Sequence, residues 1–204
     1  MVYYLLIAIV FLIFLTSLIV FYAYKTLPKK YFFLIIFILI ATSLMTLKIT
    51  EKNVIVGSIP SALKVDEVLY NNEESWGFGP GGNEAGIRVF QLTPSVVSEI
   101  KAKGISFFQN MAVDRSQRRM TRSFTEWNVT PVKSTRYWKR SKETEILDIY
   151  DYVCAYGFCI DIDSEMVELA NQMVNESGNF YSFGRIGLII VSPSKKTVVY
   201  LYNG

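Results

Sequence analysis

From Val2 to Tyr24 the chain runs for twenty-three residues without a charge, a proline or a glycine. Few environments tolerate a segment like this. As a helix rising ~1.5 Å per residue it measures ~34 Å, against a bilayer hydrocarbon core of ~30 Å. A second uncharged run of seventeen residues, Tyr31 to Leu47, is bracketed by Lys30 and Lys48, whose ammonium groups reach the interfaces from the helix ends. Tyr3, Tyr4, Tyr22, Tyr24 and Tyr31 stand near the ends of the two runs, where an amphipathic ring prefers the headgroup zone. A signal peptide would require a basic leader, a shorter apolar stretch and a small-residue cleavage site. No Lys or Arg precedes Val2 and no A-x-A follows the run. A soluble core helix is rarely apolar on every face for six turns. The sequence therefore predicts a two-helix transmembrane hairpin over residues 1–50, with helices at about 2–24 and 31–47. The lipid bilayer is its first partner.

Basic residues in short loops set orientation. The six-residue connector 25–30 carries Lys25, Lys29 and Lys30, so the positive-inside rule puts it in the cytoplasm. The N-terminus and residues 51–204 are then expected outside the cytoplasm, on a cell (inner) membrane. Those last residues form one soluble domain of ordinary size.

All eighteen acidic residues lie in this domain, against seventeen basic ones once Lys25, Lys29, Lys30 and Lys48 are set aside. A net charge of −1 gives no field for nucleic acid, and no nucleic-acid partner is expected. The charges are nonetheless blocked along the chain. Asp114 to Lys142 holds nine basic and two acidic residues; Glu143 to Glu176 holds nine acidic and no basic ones. The two blocks either neutralise each other in the fold or are presented separately.

Histidine is absent and there are two cysteines. The usual general base near neutral pH is thereby removed, with every Ser-His or Cys-His nucleophile and any tetrahedral Cys/His zinc site. No metal and no cofactor is expected.

Alternating and apolar runs predict strands at Val65–Tyr70, Ile87–Leu92, Ile105–Met111, Ile146–Val153, Phe158–Ile162, Ile186–Val191 and Thr197–Tyr202. Residues 51–65 read as a linker entering a first strand at Val54–Val56. Thr93 followed by Pro94 caps one helix, stopped by Gly104, and Asp163 caps another. The fold class is α+β, a mainly antiparallel sheet with two helices on one face.

Four segments are candidates for chemistry. Gly77, Gly79 and Gly82 formally match G-x-G-x-x-G, but a strand follows where a dinucleotide site needs a helix, and Pro80 interrupts. Residues 76–86 are then an inter-strand loop, or a loop whose bare N–H groups at Gly79, Gly81 and Gly82 receive a carboxylate or peptide backbone between Trp76 and Phe78. Cys154 and Cys159 form either a disulfide across a turn or two buried thiols. Asp161, Asp163 and Glu165 resemble the start of a calcium loop, but Met166 occupies the position of its glycine, so a strand end with a helix cap explains them. Arg115, Arg118, Arg119 and Arg122 recur at helical spacing, with Trp127 and Trp138 beyond. They form a solvated face, or a patch that meets anionic headgroups or an acidic partner protein.

The sequence thus favours a membrane-anchored, non-catalytic interaction module, an accessory or immunity-type subunit bound to another protein of a cell-envelope complex. One alternative is a small envelope hydrolase drawing paired carboxylates from Glu73, Glu74, Glu84, Asp161 and Asp163. Another is a membrane scaffold using Thr16, Ser17, Thr42 and Ser43 between helices.

Overall fold

The computed structural model describes residues 14, 17, 18, 20–76, 84–111, 124, 126–136, 138–142, 145–155, 157, 159–184 and 186–204. Two compact units divide the chain, Met1–Glu51 and Lys52–Gly204.

In the first unit residues 20–26 are helical, and after Leu27 and Pro28 comes α1, Lys29–Val56. Proline suits the start of a helix, where its missing N–H is not needed; here its carbonyl accepts from Tyr31 and Phe32. Helix α1 has 28 residues, a mean hydropathy of 2.4 in its most apolar stretch and not one buried residue. Its threonines expose no free hydroxyl: Thr42, Thr46 and Thr50 each donate to a carbonyl four residues back, at 2.8–2.9 Å. Among the described residues it is the one helix long and apolar enough to cross a membrane. The first expected span, 2–24, lies largely outside the described residues, so the hairpin is not part of the observed fold.

The expected linker at 51–65 is corrected. The helix passes through Glu51, Asn53 and Val56 because nothing from Lys48 onward breaks it before Gly57, whose N–H closes the last turn on Asn53.

The second unit is built on a six-stranded sheet. In chain order its elements are β1 (Val65–Ser75), β2 (Glu84–Leu92), α2 (Pro94–Lys103), α3 (Ile105–Gln109), β3 (Trp127–Val129), α4 (Ile149–Val153), α5 (Ser164–Asn175), β4 (Phe180–Phe183), β5 (Gly187–Ser192) and β6 (Thr197–Asn203). The strand order is β1-β2-β6-β5-β4-β3, and every pairing is antiparallel. The α+β class is as expected.

The two longer helices, however, lie on opposite faces. Odd and even positions of the central strands feed two separate cores. Ile87, Val89, Leu188, Ile190, Val199 and Leu201 meet α4 and α5 through Ile149, Val153, Ala170 and Met173. Phe90, Leu92, Ile189, Val191, Val198 and Tyr200 meet α2 and α3 through Val96, Ile100, Phe107 and Phe108. The sheet is thus the middle of three layers, which is why β5 and β6 are buried at nearly every position.

Three further expectations fail locally. Ile105–Met111 begins as a short helix, because Gly104 adopts φ +56 and turns the chain straight from α2 into α3. Ile146–Val153 divides at Asp148, whose carboxylate accepts from Tyr150 N–H and caps α4. Of the expected strand Phe158–Ile162, the described residues 159–162 pair with no described strand, although Ile160 and Ile162 are buried as a strand's inward positions would be. The helix caps hold: Thr93 Oγ1 accepts from Val96 and Asp163 Oδ1 from Glu165.

Candidate functional site

The glycine-rich segment joins β1 to β2, whose paired ends are Ser75 and Glu84. It is therefore an inter-strand connection, as its flanking strands require. Phe78, Gly79, Gly81 and Gly82 lie outside the described residues; Trp76 follows the end of β1 and is exposed.

The two strands carry a polar cluster. The Arg88 guanidinium donates through Nη2 to Glu73 Oε2 at 2.5 Å and through Nε to Asn71 Oδ1 at 3.0 Å. It also lies 5.0 Å from the centre of the Tyr202 ring, and the Tyr202 hydroxyl donates to the same Glu73 oxygen. The second guanidinium nitrogen, Nη1, is buried without a hydrogen-bond partner among the described residues. Burial raises the Tyr202 phenol far above its ordinary value, and the bond to Glu73 raises it further, while Arg88 acts in the opposite direction. The phenol therefore remains a neutral donor. Gly86 makes room for it, since a Cβ there would sit 2.3 Å from the Tyr202 ring. All the partners of this cluster belong to one sheet, and it reads as a structural lock at the base of the hairpin.

The arginine segment, Arg115, Arg118, Arg119 and Arg122, lies outside the described residues. Its expected aromatic companions do not form one patch. Trp127 is buried on β3 and stacks on Phe108 at 4.3 Å in the α2–α3 layer. Trp138 is 1% exposed in the opposite layer, its Nε1 donating to the Asp148 carbonyl at 2.6 Å. Both indoles are core residues on opposite faces of the sheet. Their burial, which sequence does not reveal, outweighs proximity to arginine.

Cys154 ends α4, and its sulfur lies at disulfide distance from Cys159, 2.11 Å, with the Cα atoms 4.6 Å apart. The pair spans a turn leaving a short helix, where sequence suggested a turn between two strands.

The carboxylates considered for hydrolysis are dispersed. Glu73 is held by Arg88 and Tyr202, Glu74 is the next residue on the same strand and so points to the other face, and Asp163 caps α5. Asp161 is exposed and lends its backbone carbonyl to Asn72. Among the described residues no cluster of three acidic or sulfur side chains has metal-binding geometry.

A different site emerges between α5 and residues 146–150. A groove of about 570 Å³ opens there, with Ile146, Tyr150, Ile162 and Val167 as apolar lining and Ser164, Glu168, Asn171, Gln172, Asn175 and Glu176 around them. Its wall is tied by side-chain amides. Asn175 accepts from Leu147 N–H and donates to the Leu147 carbonyl, both at 2.8 Å, as a neighbouring strand would. One turn earlier Asn171 accepts from Ile149 N–H at 2.8 Å. Arg140 reaches in from behind to Asn175, Glu145 O and Val132 O. Sequence reasoning passed over this site, reading the segment after Asp163 only as a capped helix. Its signal was Asn171 and Asn175, four apart and beside the apolar positions Ala170 and Val174, where amides are out of place unless they bind backbone.

Two members of the acidic block, Glu168 and Glu176, line this groove. The ion pairs among the described residues are Arg88–Glu73 and Lys103–Glu99; neither involves a carboxylate from Glu145 to Glu176.

The chain matches no family model, and no curated protein or solved structure is detectably similar to it.

Proposed function

We propose that this chain is a membrane-anchored, extracytoplasmic binding module without catalysis of its own, an accessory or immunity-type subunit of a cell-envelope complex. A hairpin of two helices, about 2–24 and 31–47, holds it in the inner membrane with the connector 25–30 in the cytoplasm.

The observation that carries this reading is α1. A 28-residue apolar helix without a buried residue needs lipid, or other helices in lipid, to cover it. The hairpin is supported by Tyr24 and Phe32, whose rings meet edge to face at 5.2 Å. Eight residues along a straight helix would separate them by ~12 Å, so the chain bends sharply at Leu27–Pro28. The cysteine pair supports an oxidising compartment.

Compartment is tested by labelling Cys154 and Cys159 in spheroplasts with a membrane-impermeant maleimide, with denatured controls. Labelling that requires an impermeant reductant, in unbroken spheroplasts, is the expected result. Labelling only after lysis and without reductant would reverse the orientation. Partner binding is tested by co-purification from membranes. Replacing Arg118, Arg119 and Trp76 by alanine should release a partner that the parent chain retains; Trp127 is excluded because it belongs to the core.

A further inference from the structure

We propose that the groove beside α5 is a docking site for a basic segment of a partner protein, one that inserts an aliphatic or aromatic side chain and flanks it with Lys or Arg. This deepens the binding-module reading and rests on it.

The groove joins two properties that together define its occupant. Its floor is apolar, formed by Tyr150, Ile162 and Val167, with Ile146 still 44% exposed at its mouth. Its rim is anionic: Glu168 and Glu176 line it, and Glu165 and Asp151 are exposed on the same helices. Among the described residues none of these carboxylates has an ion-pair partner. Two cations do approach the wall, but Arg140 is committed to Asn175 and backbone carbonyls, and Lys195 donates to Gln172 Oε1 at 2.7 Å. Apolar floor and anionic rim together select an occupant with the inverse pattern. The walls are pre-formed, since Asn171 and Asn175 pin residues 147–149 to α5, so little ordering opposes entry.

The test uses the full chain in phosphatidylcholine nanodiscs, with empty nanodiscs as control. The probe is a fluorescent twelve-residue peptide of Lys and Leu with one apolar and one basic face, and its Glu/Leu counterpart. The Lys/Leu peptide should bind, more weakly as salt rises, while the Glu/Leu peptide should not. Glu168→Gln with Glu176→Gln should weaken binding about threefold or more, because two rim charges are lost. Ile146→Ser should weaken it without changing the salt dependence. Binding unaffected by these exposed substitutions, or no binding, overturns the assignment. A photo-crosslinker at position 168 that captures a second copy of this chain also overturns it. If the Glu168→Gln, Glu176→Gln chain keeps its co-purifying partner, this inference alone fails. If the parent chain retains no partner at all, the broader reading fails.

Discussion

Replacing Glu73 by glutamine isolates what holds the base of the β1–β2 hairpin. Arg88 is 8% exposed in its side chain and Glu73 32%. Removing one member of a fully buried pair costs about 3–5 kcal/mol, because the other charge remains desolvated. Here water still reaches Glu73, and glutamine retains an oxygen for Arg88 and Tyr202, so the cost falls to about 2 kcal/mol once solvent screening is allowed for. Urea unfolding of the full chain in nanodiscs, followed by the fluorescence of the buried Trp127 and Trp138, should show the midpoint lower by about 1 M for a slope near 2 kcal/mol/M. The decisive measurement is the second step. Arg88→Met placed on Glu73→Gln removes the orphaned charge and should recover about 1 kcal/mol. If the double variant is instead less stable than Glu73→Gln alone, Arg88 contributes through its stem and its contact with the Tyr202 ring, and the account of this cluster as a charge pair is refuted.

Gly187→Ala should destabilise the domain by about 2–3 kcal/mol as overpacking, because the new Cβ would lie 2.7 Å from the Leu201 carbonyl and 2.6 Å from the Tyr200 ring; an unchanged urea midpoint would show that β5 can move off β6. Asn175→Ala should cost about 2–3 kcal/mol, since both polar groups of Leu147 lose their partner and a buried unsatisfied group costs roughly 1–3 kcal/mol. Asn175→Asp can still accept from Leu147 N–H but cannot donate to its carbonyl, so it should recover only part of that loss. In alkali the unfolded chain releases the Tyr202 proton above about pH 10 while the folded chain keeps it. This contribution to stability is therefore complete below about pH 10 and declines at higher pH by up to ~1.4 kcal/mol per unit; Tyr202→Phe should flatten that slope, and an unaltered alkaline profile would place the raised phenol elsewhere.

Much of this architecture was legible in the residues, and the failures share a cause. Caps and breakers read correctly: Thr93, Gly104 and Asp163 stand where the structure uses them. Asp148 is a cap of the same kind as Asp163, but the apolar residues around it suggested a strand, and local pattern cannot tell a short buried helix from a buried strand. Leu188–Val191 and Val198–Tyr202 are nearly unbroken apolar runs, which is the mark of strands covered on both faces. That mark was present, and it contradicts placing both helices on one side. The groove was less accessible to sequence, because it depends on Leu147 reaching the amide of Asn175, 28 residues away. Trp127 and Trp138 illustrate the converse, for their chain neighbours suggest an interface while their burial is decided by distant strands.

The position of β6 has a consequence for biosynthesis. It lies between β2 and β5, yet every other strand precedes it in the chain. Until residues 197–203 emerge from the ribosome, the β1–β2 ribbon and the β3–β4–β5 segment have no shared ladder, and neither core has its central strand. A chain made from its N-terminus commits α1 to its environment long before the sheet can close. If residues 51–204 are exported, the sheet therefore closes only when the central strand arrives.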